Sequence, residues 1–177
     1  IFPWIKRWIV TTNHKDIGTL YLCLSGFMFF IGGMMSMLIR AELMRRFSFE
    51  FCGMRNHELY FWSLTGPRTA IPVGSKLESD IIRDFGSMDT FWARLKETCM
   101  TRGIGWAMLW YDAGEDRLLM SWVDEQHLGQ LNNCTIILGL DMWEHSYVAD
   151  YQPSGKKNYV EDFFANLNWE VVEKRLL

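Results

Sequence analysis

At 177 residues, 49% hydrophobic and 15% aromatic, the chain holds enough apolar material for one or two packed domains. A net charge of −3 gives no case for a nucleic-acid partner. Cys23, Cys52, Cys99 and Cys134 form no CxxC pair, which argues against a disulfide framework or a zinc knuckle and reads as ordinary free thiols. The first residue is Ile1 rather than methionine, which reads as a processed chain or a fragment.

Composition shifts sharply after residue 43. Residues 17–39, IGTLYLCLSGFMFFIGGMMSMLI, run for 23 positions without a charge. As a helix this stretch reaches roughly 35 Å, enough to span a bilayer with some tilt. Lys15-Asp16 and Arg40-Ala41-Glu42 flank it, and Trp4, Trp8 and Tyr21 stand where interfacial aromatics stand. Gly32 and Ser36 make a small-xxx-small pattern. Gly18, Gly26, Gly32 and Gly33 are costly in an aqueous helix, at up to about 1 kcal/mol each, and commoner in membrane helices. The stretch is expected to span a membrane. Lys6, Arg7 and Lys15 before it balance Arg40, Arg45 and Arg46 after it, so orientation stays open.

Residues 7–43 contain TTNHKDIGTLYL and IRAEL. This segment resembles the N-terminus and first transmembrane helix of subunit I of the haem–copper cytochrome oxidases. Arg40 matches a haem-facing arginine there, and His14 lies in a string that the family does not use for metal. The resemblance implies membrane residence and ancestry rather than oxidase chemistry, because the metal-ligating helices have no counterpart in this chain.

From residue 44 the pattern is that of a mixed helix and strand domain. Residues 56–62, NHELYFW, read as a helix stopped at Thr65-Gly66-Pro67. His57 within it, taken alone, reads as a core histidine. Residues 72–75 form a loop. Residues 76–84 and 88–100 read as helices, the second capped by Ser87 and carrying Phe91, Leu95 and Met100 on its apolar face. Residues 106–111 and 117–123 flank the turn 112–116, which contains Gly114, and read as a hairpin. Residues 135–140 read as a third, buried strand. Helices are expected over 143–151, 157–167 and 168–176. The order gives an α+β class: a three-stranded antiparallel sheet with flanking helices.

Within LDMWEHSY, Asp141 and His145 stand four apart. On a helix, or at a strand end running into one, that spacing puts a carboxylate and an imidazole on one side. Such a pair suits iron, manganese or zinc.

NHELYFW, DFGSMDTFWARLK, GIGWAMLWYD and LDMWEHSYVADYQPSGKKNYVEDFFANLNWEVVEKR resemble the iron/manganese superoxide dismutases over about residues 49–175. The resemblance implies superoxide as substrate and one manganese or iron ion per chain. It carries the second histidine ligand to His57, the aspartate to Asp141 and the third histidine to His145. Gln126 matches the glutamine that hydrogen-bonds the metal's solvent ligand. The pairing of Gly53 with Gln126 matches the manganese type, although His127 stands where that type has aspartate. Trp143, Trp106 and Trp110 are expected to wall the site, while also serving as core. Glu144 matches a residue that reaches across a two-fold interface, which implies a homodimer through Glu144-His145.

The same resemblance implies a first histidine and a gating tyrosine on an N-terminal helix, where this chain has the oxidase-like segment instead. The expected partition is therefore 1–43 as transmembrane segment, 44–70 as one helix of the dismutase N-terminal hairpin, and 71–177 as dismutase C-terminal domain. The readings that follow are a dismutase impaired by a missing ligand, a non-catalytic membrane or assembly protein on the same fold, and a fusion of two genes. The location follows the span: membrane-associated if 17–39 crosses a bilayer, otherwise cytoplasmic or mitochondrial matrix.

Overall fold

The computed structural model describes residues 13–176, the side chain of Arg45 apart. The chain divides into two compact units, to Phe47 and from Ser48. Trp4, Trp8, Lys6 and Arg7 lie outside the described residues.

The first helix, α1, is assigned to His14–Ser63. No proline falls within it, so nothing interrupts its hydrogen-bond ladder. Residues 44–63 are therefore helical. In the first unit, His14–Met44 is long and apolar enough to cross a membrane and none of its most apolar stretch is buried. In the second unit α1 ends at Ser63, just ahead of Gly66, which takes a left-handed φ of 79°, and of Pro67.

Two short helices follow. α2 (Lys76–Phe85) starts at Ser75, whose hydroxyl accepts from the Glu78 N–H, and stops at Gly86 with φ 85°. α3 (Met88–Cys99) starts at Ser87, which accepts from the Thr90 N–H. Leu77, Ile81 and Phe85, and Phe91, Leu95 and Cys99, recur every four residues and form the two buried stripes.

The sheet has three antiparallel strands, β1 (Gly105–Asp112), β2 (Arg117–Asp124) and β3 (Cys134–Asp141), in the order β2-β1-β3. Alternation along β1 sends Ala107 and Leu109 into the main core and Trp106, Met108 and Trp110 into a second cluster with Val123. Each fully buried Leu, Ile or Phe in these layers contributes about 1.5–3 kcal/mol of transfer free energy. Cross-strand register pairs Trp106 with both Val123 and Asp141, so one end of the sheet gathers the start of β1 and the ends of β2 and β3.

The expected helix over 143–151 is replaced by a 3₁₀ turn at Glu144–Ser146 and a single helical turn, α4 (Val148–Tyr151). The Ser146 hydroxyl binds the carbonyls of Asp141 and Trp143, and Gln152 takes φ 60° ahead of Pro153; together these keep the segment from winding into one helix. α5 (Lys156–Asn166) and α6 (Trp169–Glu173) complete the fold, the latter shorter than the expected 168–176. The Arg175 guanidinium donates to the carbonyls of Leu59 and Ile137 and to the Ser63 hydroxyl, tying the end of α1 to β3.

Candidate metal centre

Asp141 is the last residue of β3, and His145 follows it within the 3₁₀ turn. The pair is therefore built by a strand end running into a turn, not by a helix face. Asp141 Oδ2 lies 3.1 Å from His145 Nε2 and 3.3 Å from His57 Nε2, which α1 brings in from the other side. One ligand atom from each of the three residues lies within 4.8 Å of the others. The carboxylate is buried (side chain 3% exposed), whereas the His57 and His145 side chains are 33% and 55% exposed. The cluster is open on its imidazole side.

Each donor is oriented by its surroundings. His57 Nδ1 stands 2.6 Å from the Gly53 carbonyl, which only accepts, so Nδ1 carries the proton and Nε2 offers its lone pair. The Trp143 backbone N–H donates to Asp141 Oδ1 at 2.9 Å, leaving Oδ2 for the cluster. The Tyr159 hydroxyl donates to the Asp141 carbonyl at 2.8 Å and lies 3.2 Å from the Tyr60 hydroxyl. The imidazoles of His57 and His145 lie nearly parallel, with centroids 5.8 Å apart.

Burial pushes the Asp141 carboxyl above the usual carboxylate range, against the Trp143 N–H and the two histidines, which lower it. A desolvated carboxylate facing the nitrogens of two imidazoles is short of positive charge. A divalent or trivalent cation held among them would supply it, and the nitrogen and oxygen donor set fits iron or manganese.

Gln126, at the loop after β2, is buried rather than in solvent. Its Oε1 accepts from the Trp106 indole N–H at 2.9 Å. Its backbone carbonyl accepts from Asn56 Nδ2 at 2.9 Å. A Cβ on Gly53 would lie 3.2–3.3 Å from the Gln126 side chain, so the helix approaches the glutamine closely at this point. Trp106 sets its edge against His57, with ring centroids 5.0 Å apart at 89°. Trp143 stacks on His145 at 5.7 Å and donates its indole N–H to the Glu125 carbonyl at 3.2 Å.

One expectation about a neighbouring residue comes out differently. Trp110 does not wall the cluster. It lies four residues along β1 from Trp106, roughly 13 Å away, and donates to the Ser121 hydroxyl. Glu144 is exposed and makes no ion pair among the described residues. Asn56, Glu125 and Tyr159 were not singled out from the sequence. Asn56 carried one signal, a polar residue inside an otherwise apolar helical stretch; the other two carried none.

Comparison with known proteins identifies the family. Residues 72–175 match the family described as iron/manganese superoxide dismutases, C-terminal domain. The chain is 37% identical over 141 residues to a superoxide dismutase of Methanothermobacter thermautotrophicus named for iron, covering 77% of this chain and 67% of that one. It is 33% identical over 134 residues to an Aquifex pyrophilus superoxide dismutase, also named for iron, with 76% and 62% covered. It is 33% identical over 132 residues to a Mycolicibacterium fortuitum superoxide dismutase named for manganese, with 74% and 63% covered. The chain thus spans about two thirds of the length of the relatives it matches. Iron or manganese is the cofactor to which these relatives point. By sequence and by the fold of residues 72–175, the chain belongs to the iron/manganese superoxide dismutase family.

Proposed function

We propose that the chain is a superoxide dismutase-like metalloprotein that converts superoxide to dioxygen and hydrogen peroxide, with His57, Asp141 and His145 holding one iron or manganese ion. The observation that carries this reading is the convergence of those three donors within 4.8 Å around a buried carboxylate. The bound ion supplies the one-electron redox couple that disproportionation of superoxide requires. The chain's own residues do the rest. Asp141 sets the charge of the site, and the Gly53 carbonyl and Trp143 N–H fix which atoms of His57 and Asp141 face inward. Gln126, with its oxygen committed to Trp106, keeps its amide N–H groups to donate to an oxygen species. Trp106 and Trp143 exclude water from two sides of the imidazoles.

The close fit of Gln126 beneath Gly53 supports manganese over iron in this chain, although several relatives are named for iron. Exposure of Glu144 beside His145 supports a homodimer through that pair. The apolar part of α1, none of whose most apolar stretch is buried, supports membrane association of His14–Met44, with the oxidase-like ancestry of residues 7–43 as its origin. We divide the chain at residues 43 and 70, as the two resemblances do. Three protein donors are one fewer than the resemblance implies, so turnover is expected below that of a four-ligand site.

The test is reconstitution of the full chain in detergent with manganese or iron, followed by stopped-flow decay of superoxide. Metal-dependent decay that disappears in Asp141→Ala supports the reading. Bound metal with no decay favours the non-catalytic alternative, to which the exposed His145 and the three-donor count lend weight.

A further inference from the structure

Three tyrosines stand in series outward from the metal donors. The Trp106 ring that meets His57 lies 6.3 Å, centroid to centroid, from the Tyr60 ring. The Tyr60 hydroxyl lies 3.2 Å from that of Tyr159, and the Tyr159 ring lies 5.9 Å from that of Tyr151. Tyr151 is half-buried, and its hydroxyl donates at 2.8 Å to Oδ2 of the exposed Asp162. Tyr159 and Asp162 stand three apart on α5, hence on one face, so one helix sets both against the single turn of α4 that carries Tyr151. A phenol that loses an electron becomes strongly acidic, so the oxidised state settles where the proton can leave. The Tyr159 hydroxyl donates to the Asp141 carbonyl, a weak base, and the Tyr60 hydroxyl meets that of Tyr159. Within this series, among the described residues, Tyr151 alone donates to a carboxylate, and that carboxylate is open to water. Tyr111 also donates to a carboxylate, Asp116, but among the described residues no ring contact joins it to Trp106 or Tyr60.

We propose that Trp106, Tyr60, Tyr159 and Tyr151 form a relay that carries oxidising equivalents from the metal site to the surface, where Tyr151 yields its proton to Asp162 and a small thiol restores it; this rests on the reading of His57, Asp141 and His145 given above. The oxidant is hydrogen peroxide, the product of that reaction, acting at the bound ion. One peroxide takes up two electrons and two protons and leaves as two waters. Each electron is drawn inward along the relay and leaves Tyr151 as a neutral phenoxyl radical, its proton passing to Asp162 and from there to water. Two thiols each return one hydrogen atom to such a radical, re-forming the phenol O–H bond, and the two sulfur radicals couple to a disulfide. One peroxide and two thiols thus become two waters and one disulfide, and His57 and Trp106 are spared oxidation. A cleft of about 230 Å³ lined by Tyr60, Tyr151, Tyr159, Asp150 and Asp162 gives the thiol access. Its wall holds two carboxylates and no lysine or arginine, so it favours a neutral or cationic thiol.

The relay can be driven with or without metal. In the first arm, a photo-oxidising ruthenium bipyridyl complex is coordinated to the exposed His145 of the full, metal-free chain in detergent, with His14→Gln removing the other exposed imidazole. A flash with an external quencher then injects the oxidising equivalent beside His57. Radicals are followed by electron paramagnetic resonance, and a nitroso spin trap marks their position for peptide mass spectrometry. The parent should carry the trap on Tyr151. Asp162→Asn keeps the shape and removes the base, and should lower that adduct by at least about 100-fold. Tyr159→Phe should abolish it and move oxidation back to Trp106, whereas Tyr111→Phe should leave it unchanged. Cysteamine, a cationic thiol, should shorten the radical's lifetime. In the second arm, hydrogen peroxide is added to the manganese- or iron-loaded chain, and the trap should again be found on Tyr151. No adduct on Tyr151 in the parent, or one equally abundant in Tyr159→Phe or Asp162→Asn, would overturn the relay. A lifetime indifferent to cysteamine would overturn the thiol step, and peroxide damage confined to His57 and Trp106 would overturn the protective role. A parent chain that binds no metal overturns the reading of the site instead, and the ruthenium arm still decides whether the relay conducts.

Discussion

The helix carrying His57 passes so close to Gln126 that a Cβ on Gly53 would stand 3.2 Å from the glutamine Cδ. Alanine at residue 53 would gain about 1 kcal/mol of helix propensity. It would also press on a side chain that already shares its oxygen with Trp106. Gly53→Ala is therefore expected to change stability by less than about 1 kcal/mol while altering the spectrum of the bound ion and slowing superoxide decay. Gly53→Gln, which cannot fit without moving Gln126, should cost about 1–3 kcal/mol. Thermal melts and metal spectra of the two variants check this.

The three donors are not equivalent in what their loss exposes. Asp141 is buried and supplies the only formal negative charge of the trio. Asp141→Ala and Asp141→Asn should each lower metal affinity by more than about 100-fold, beyond the 10–100-fold typical of residues that merely support a ligand. Competition against a chromogenic chelator measures this. His145→Ala should lose metal as well, but with less effect on folding, because its side chain is half in solvent.

Tyr159→Phe removes the hydroxyl that donates to the Asp141 carbonyl and meets Tyr60. Ser146 still donates to that carbonyl at 3.0 Å. The expected loss is about 1–2 kcal/mol of stability, read as a lowered denaturation midpoint with retained metal content.

Acid should weaken the second unit through Asp84. The Arg83 guanidinium beside it, followed by the Leu118 backbone N–H, holds this carboxyl below the usual range. Its folded pKa lies under its unfolded value. The stability it contributes is thus present above about pH 4 and is lost as pH falls through the folded pKa. Asp84→Asn should flatten the decline in stability between pH 5 and pH 2, roughly the window of carboxylate titration. Equilibrium denaturation across that range tests it.

Much of the second unit could be read from the chain. Ser75 and Ser87 cap where serine followed by an apolar period is expected to cap, and the three strands fall where the apolar runs stand between turn residues. What could not be read is the order β2-β1-β3, because local pattern carries no strand order. The Asp141–His145 spacing signalled a shared side, and the two side chains do meet. Their scaffold was less legible: Ser146 bonds to two carbonyls and cuts short what the apolar period presents as a helix. His57 alone resembled a core histidine, since only tertiary packing brings it beside Asp141, 84 positions away. Asn56 escaped notice because its partner is a backbone carbonyl, to which no side-chain pattern points.

The most direct test is the metal content of the full chain after manganese or iron loading and exhaustive dialysis, measured beside the His57→Ala, Asp141→Ala and His145→Ala variants. One ion per parent chain, lost in all three variants, is the predicted result. No retained metal in the parent, or equal retention in the variants, would contradict the assignment of these residues.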